Sequence, residues 1–281
     1  MAISTRDALI NSLGNNSSRF ILDKVSIASQ AANTYVSLWR ATGQPGQGAI
    51  PGAAAVCDNT LTGAMNFTQQ TAPATSYGAY FETVTGNAAM TVEIHDRLMH
   101  MGGLSGTVFT PTTQTVNLDL DANLATSNLS NRIGDSNYSD VQWWLEWYTA
   151  TGSTVATATV NVTYNDGTSG DLTGVSLAAT RPASFMQPLN SLIPAAKSGF
   201  YIRDVNTVVL SASTGTAGSF GVTATRPRMT LGTPIANYKS VADWAQLGFP
   251  QIYNSSCLFP IVLTSTSSSG TVRGGGKIAH G

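Results

Sequence analysis

The residues best suited to chemistry stand together in Glu93-Ile-His95-Asp96-Arg97-Leu-Met-His100. As an enzyme centre this run offers two imidazoles, carboxylates and a guanidinium. As a metal site it offers His95 and His100. On a strand, side chains alternate, so Glu93, His95 and Arg97 share one face and His100 falls on the other. That parity works against a two-histidine metal site unless the strand bends. The simpler expectation is a charge-paired strand face in which Glu93 and Arg97 flank a histidine. A nucleophile needs a base within hydrogen-bond reach, and the chain has no Gly-x-Ser-x-Gly elbow, no HExxH helix and no close Cys/His pair. Only three histidines are available, one of them His280.

Carboxylates could still act in pairs on a glycosidic bond, and Glu93, Asp96, Asp140 and Glu146 are the candidates. The stretch Asp119-Leu-Asp121-Ala-Asn123 resembles part of a calcium loop but lacks the glycine and distal glutamate that complete one. Cys57 and Cys257 stand in no zinc-binding spacing. Two buried free thiols are expected, with a disulfide left open, since its geometry cannot be read from spacing. The glycine-rich Gly43 to Gly52 stretch lacks the Lys-Ser/Thr pair of a phosphate-binding loop, and nucleotide binding is rejected. No residue is therefore assigned a catalytic, cofactor-binding or metal-binding role.

Tryptophan is concentrated in Val141-Gln-Trp143-Trp144-Leu-Glu-Trp147-Tyr148. On a strand, Trp143, Leu145 and Trp147 face one way and Trp144, Glu146 and Tyr148 the other. A sugar-stacking platform is one reading; a central strand covered on both faces is the other, and the simpler.

The elements that would position these groups are mainly strands. Tyr77 to Val84, Ala89 to Met101, Thr115 to Leu120, Val141 to Tyr148, Thr154 to Tyr164, Thr207 to Ala212 and Phe220 to Thr225 alternate or run apolar between turn residues. A last pair is expected near Cys257 to Thr264 and Thr271 to Ala279. Asn165-Asp166-Gly167 after the Thr154 to Tyr164 run is the clearest hairpin signal. Strands at this spacing imply an all-β fold, an antiparallel β-sandwich or jelly roll. Helix is expected at two places. Residues 1–34 read as a helical segment or arm, capped by Ser4 or Thr5, interrupted at Gly14 to Ser18 and resumed through Phe20, Leu22 and Val25. Ser240 to Gly248 reads as a two-turn helix. Residues 35–281 form the β-rich body, divisible into two packed subdomains. Ala-Thr-Arg-Pro occurs at Ala179 to Pro182 and again at Ala224 to Pro227, a recurrence that could mark equivalent corners.

Composition sets the class of partner. Of 281 residues 42% are hydrophobic, enough for a substantial core, while only 10% are charged. Ser and Thr outnumber the charged residues about two to one. With 14 Lys plus Arg against 15 Asp plus Glu, no field draws in a phosphate backbone or an anionic membrane. Near-zero net charge favours association, and a homo-oligomer is expected. No run of about 18 apolar residues suggests a membrane span. The first residues lack the pattern of a secretory leader, so assembly in a cytoplasm is expected and the Asn-x-Ser/Thr triplets at Asn66, Asn128, Asn137, Asn161 and Asn254 are read as chance.

Four phrases then stand out together: Ser37-Leu-Trp39-Arg-Ala-Thr-Gly43 with the loop that follows, Ile94-His-Asp96-Arg97-Leu98-Met-His100-Met-Gly-Gly-Leu104-Ser, Trp144-Leu-Glu146-Trp147-Tyr-Thr-Ala-Thr-Gly152, and Leu247-Gly-Phe249-Pro250-Gln-Ile-Tyr253. From about Ser37 onward the chain resembles a family of tailed-bacteriophage virion structural proteins encoded near the major capsid protein. The resemblance implies a virion component without enzymatic chemistry and carries across no catalytic residue. It further implies a head decoration or cement protein, a homotrimer on the capsid surface whose partner is the major capsid protein. Such stabilisation comes from buried area summed over many copies. The N-terminal segment and the Gly43 to Gly52 loop are the expected contact surfaces. A neck, tail or head-fibre protein, and a glycan-binding module using the Trp143 to Trp147 strand, are the alternatives.

Overall fold

The computed structural model describes residues 3–27, 30–87, 89–177 and 179–281. The described residues are mostly β, with 45% strand and 9% helix, and their sheets are antiparallel as expected. In chain order the elements are α1 (Arg6–Gly14), β1 (Ser17–Lys24), β2 (Thr34–Ser37), β3 (Gly43–Gln44), β4 (Ala55–Val56), β5 (Ser76–Thr85), β6 (Met90–Leu104) and β7 (Gln114–Asp119). Then come α2 (Leu129–Arg132), β8 (Gln142–Thr149), β9 (Ala156–Tyr164), β10 (Ser169–Leu177), β11 (Phe185–Pro188), β12 (Ile202–Leu210), β13 (Ser219–Thr233), β14 (Ser240–Asp243), β15 (Gln251–Ile252), β16 (Leu258–Thr264) and β17 (Val272–His280).

The chain forms two compact units from interleaved segments: Met1–Ala49, Asp58–Asp96 and Pro227–Gly281 make the first, Ile50–Cys57 and Arg97–Arg226 the second. None of the four boundaries falls at residue 34. β6 and β13 each give part of their length to both units, so a division read from composition along the chain could not find it.

In the first unit one sheet runs β14-β5-β17-β1-β3, with β15 also on β5. The second sheet pairs β16 with β2 and with the Met90–Asp96 part of β6. Phe20, Leu22, Phe81, Val272 and Ile278 from the first sheet meet Val36, Val92, Ile94, Leu258 and Val262 from the other in a single core. That is a sandwich. In the second unit the sheet β10-β9-β12-β7 shares a core with β8 and its neighbours β13 and β11, Val160, Val162, Val205 and Leu210 packing with Trp143, Leu145, Trp147 and Val222.

Two helix expectations are corrected. α1 forms, with Thr5 Oγ1 accepting the Ala8 N–H at 3.1 Å. The resumed helix does not: Ser17–Lys24 is strand β1, with Phe20, Leu22 and Lys24 buried and Arg19, Ile21 and Asp23 exposed. That burial has period two, a pattern the run Phe20 to Val25 admits as readily as a helical one. β1 lies between β17 and β3, so residues 17–24 are sheet rather than arm. Of the 1–34 expectation, residues 1–2 and 28–29 lie outside the described residues. Near the other terminus, Ser240–Asp243 is strand β14 on β5, and only a turn follows. The Asp243 carboxylate accepts the Ala245 and Gln246 N–H groups at 3.0 Å and so caps that turn.

The β9–β10 hairpin forms as read. Tyr164 and Thr168 close a three-residue loop, with Gly167 at φ +82° in the left-handed region. The two Ala-Thr-Arg-Pro copies are not equivalent, since the second lies inside β13 and the first in a turn after β10.

Candidate functional site

β6 delivers the polar run Glu93 to His100, and the fold spends each of its groups on an internal bond. Within the first unit, His95 Nε2 lies 2.7 Å from Glu93 Oε2, and the Asp96 carboxylate accepts the Ser256 hydroxyl at 2.8 Å and the Cys257 N–H at 2.9 Å. Asp96 therefore pins the chain entering β16. Within the second unit, Arg97 is fully buried, and its counter-ion is Glu146 rather than Glu93: Nη2 donates to Glu146 Oε2 at 2.6 Å. The same nitrogen lies 3.1 Å from the Tyr148 and Thr223 hydroxyls, and Thr223 donates to Glu146 at 2.6 Å.

Arg97 Nε also donates to His100 Nδ1 at 2.9 Å. Strict alternation separates these two residues, and the length of the arginine side chain closes the gap. Burial alone would push the Arg97 guanidinium down, but the Glu146 carboxylate outweighs it and the net direction is up. Burial, reinforced by Glu146, pushes the Tyr148 phenol up. Arg97, His100, Glu146, Tyr148 and Thr223 are all buried, so the network lies away from solvent.

β8 supplies Glu146 and Tyr148 to that network. Its faces divide as read from sequence: Trp143, Leu145 and Trp147 enter the apolar core, while Glu146 and Tyr148 join Arg97 and Trp144 Nε1 donates to Thr225 Oγ1 at 2.8 Å. All three indoles are buried, so none offers a face on which a sugar could stack. The remaining acid, Asp140, pairs with Arg226 at 2.7 Å. In the calcium-like stretch, Asp119 Oδ1 accepts the Ala122 N–H at 2.8 Å and Asp121 accepts the Tyr138 hydroxyl at 2.9 Å. Among the described residues no group of three or more His, Cys, Asp or Glu could hold a metal ion. Cys57 and Cys257 are buried thiols that form no disulfide.

Three arrangements were not anticipated. Lys24, buried at the end of β1, donates to the carbonyls of Ala41 and Pro45 at 2.9 and 2.6 Å and to Gly46 at 3.3 Å. Burial pushes its ammonium down to about 8. The Gly43 to Gly52 segment is thus bound to the body through β3 and Lys24. It is further bound by Trp39, whose Nε1 donates to Ala49 at 2.8 Å. A Cβ on Gly48 or Gly63 would lie 2.1 or 2.5 Å from the indole ring, so only glycine fits on either side. Second, Arg132 is buried and donates to the carbonyls of Cys57 and Arg97 at 2.7 and 2.8 Å. Third, the buried His280 ring joins three strands: Nε2 contacts Ser18 Oγ and Nδ1 lies 2.9 Å from Ser76 Oγ. Burial pushes this imidazole down, toward the neutral form. Among the described residues no carboxylate orients it, and Ser18 Oγ already accepts the Thr68 N–H at 3.1 Å. It serves as a clasp between β1, β5 and β17. A lone lysine or arginine in an alternating run, such as Phe20-Ile-Leu22-Asp-Lys24, was the available signal.

Among the described residues no helix is long and apolar enough to cross a membrane. No family model matches the chain, and no curated protein matches it. Among solved structures, the VP2 subviral particle of infectious bursal disease virus is 11% identical over 94% of this chain and 80% of that one, with a TM-score of 0.21. The T13 particle of the same virus gives 11% identity, 94% and 78% coverage and a TM-score of 0.20. The chain therefore has a weak structural similarity to viral capsid proteins, at a level that assigns neither family nor role.

Proposed function

We propose that this chain is a non-enzymatic structural component of a tailed-bacteriophage particle, a decoration or cement protein that binds the outer head surface and strengthens contacts between capsomers. The observation that carries the reading is the resemblance of four sequence phrases, spread from Ser37 to Tyr253, to virion proteins encoded near the major capsid protein. The physical chemistry is in keeping with it. The polar groups that could have served a reaction are engaged in buried bonds within each unit, and the low charge of the chain suits extensive contact with other subunits. The partner in this reading is the major capsid protein, and the chain acts as a homo-oligomer, a trimer over a symmetry axis. Neither nucleic acid nor membrane is a partner, and the chain resides on the capsid surface after assembly in the host cytoplasm.

A density map of the intact particle tests it. Hundreds of copies on the outer head surface are the expected result. Six or twelve copies would move the chain to the neck or tail, and absence from purified virions would overturn the reading. A glycan array tests the sugar-binding alternative, which the burial of Trp143, Trp144 and Trp147 does not favour.

A further inference from the structure

The first unit has an unfinished sheet edge. In an antiparallel pair the N–H and C=O of one residue point to the same side, and successive residues alternate. Val25 N–H donates to Thr42 at 3.2 Å and Asp23 opposes Gln44, so the odd-numbered residues of β1 turn their backbone groups toward the β3 side. β3 ends at Gln44. The corresponding groups of Ile21 and Arg19 therefore have no strand beside them. They open instead into a cavity of about 410 Å³ whose floor is Phe20, Leu61, Ala64 and Met65. The space continues past Arg19 as a second cavity of about 330 Å³. An exposed ladder of donors and acceptors is a template for one more strand.

We propose that this slot takes an extended polypeptide segment of another chain, added antiparallel beside β1 as a continuation of the short β3 ladder. Backbone bonds to Ile21 and Arg19 supply the affinity, and alternate side chains supply the selectivity. The residue opposite Ile21 lies outward, against a side chain that is 68% exposed, and is apolar. The next residue, opposite Phe20, points inward onto the apolar floor and is small and apolar. The third, opposite Arg19, carries a carboxylate. Arg19 is exposed, and among the described residues no carboxylate forms an ion pair with it; the nearby Glu82, which feels its charge, is already bound by Lys239 and by the Tyr80 hydroxyl at 2.5 Å. A peptide matches paired, alternating backbone groups that a sugar does not.

The test pans the full chain against a displayed library of random linear octapeptides. The selected peptides should share an apolar, apolar, acidic order. A synthetic peptide of that family should bind about tenfold or more weakly to Arg19→Ala, the loss of one charge-assisted hydrogen bond. It should slow hydrogen exchange at the Arg19 and Ile21 amides, and lose binding when the residue opposite Ile21 is N-methylated. A thermal melt checks that Arg19→Ala, a change at an exposed side chain, leaves the fold intact. Selection of no common pattern, unaltered binding to Arg19→Ala, or unprotected amides would overturn the proposal. So would a glycan that binds the wild-type chain and is lost on Arg19→Ala, which would reassign the slot to sugar.

Discussion

Replacing Glu146 by Gln should be among the most damaging near-isosteric changes in the second unit. The amide can still accept from Thr223 and from Arg97 Nη2, so the hydrogen bonds at 2.6 Å keep an acceptor. What disappears is the charge opposite a guanidinium with 0% side-chain exposure. Removing one partner of a buried ion pair costs about 3–5 kcal/mol, because the remaining charge is stranded in a medium that cannot solvate it. Arg97→Met should cost a similar amount, leaving Glu146 charged and the Tyr148 and Thr223 hydroxyls short of a partner. The double variant Arg97→Met with Glu146→Leu strands neither charge, so it should lose well under the sum of the singles, with a coupling of about 2 kcal/mol or more. Urea denaturation followed by tryptophan fluorescence reads this directly, since Trp143, Trp144 and Trp147 share β8 with Glu146. In a melt, each single change should lower Tm by roughly 6–20 °C, at about 2–4 °C per kcal/mol. A single-variant cost below about 1 kcal/mol, or strictly additive losses, would refute a charge pair sealed from water.

Burial, with the charge of Asp119 adding and Arg203 opposing, pushes the Asp204 carboxyl up to about 6 from 3.8. The folded state then holds a proton the unfolded state has released, so this contribution is full below about pH 4 and is lost as pH rises through 6, about 3 kcal/mol in all. Asp204→Asn should flatten that part of the stability profile, measured by denaturant unfolding between pH 4 and 7. Lys24 titrates the other way: its folded value of about 8 lies below the ordinary 10.5, so stability should rise between pH 8 and 10.5, and Lys24→Met should abolish that rise. Gly48→Ala places a methyl 2.1 Å from the Trp39 ring. It should cost about 1–3 kcal/mol by overpacking and red-shift the Trp39 emission as the indole is displaced; an unchanged melt would mean the loop yields freely.

The strand content was legible because half-buried antiparallel strands write their period into the sequence, as Thr154 to Tyr164 does before its Asp-Gly turn. β8 was legible even in its division of faces, because strand alternation alone puts residues 143, 145 and 147 on one side and residues 144, 146 and 148 on the other. Two kinds of feature were not. Short runs with few apolar residues, such as Phe20 to Val25 and Ser240 to Gly248, fit both periods, and only the pairing of β1 with β17 and of β14 with β5 decides between them. Partners distant in sequence were also out of reach. Glu93 stands four residues from Arg97 and Glu146 stands 49 away, yet the fold selects Glu146, since that choice depends on which strand the second unit lays opposite β6.

The placement of charge bears on assembly more than its total does. The chain has 14 basic and 15 acidic residues, and Lys24, Asp96, Arg97, Arg132, Glu146, Asp204 and Arg228 are buried. Charge is scarce in the sequence, and a good part of it is withdrawn into internal bonds, so the surface is poorer still. An outer surface of hydroxyls and amides with few ions to desolvate loses little on being covered. The interior does the opposite. A buried ion pair adds little net stability over well-packed apolar side chains, but a mispaired alternative in which Arg97 or Asp96 lacked its partner would strand a charge, and such alternatives are penalised by several kcal/mol. In a chain whose β6 and β13 each serve two units, a one-residue slip of either strand would turn every side chain to the wrong face. The charged residues at the crossing points, Asp96 and Arg97 on β6, therefore act as register marks. Shifting that register by inserting one alanine after Ile94 should cost far more stability than the same insertion in the exposed Asp166–Gly167 turn. Comparable losses at the two positions in urea denaturation would remove this role from Asp96 and Arg97.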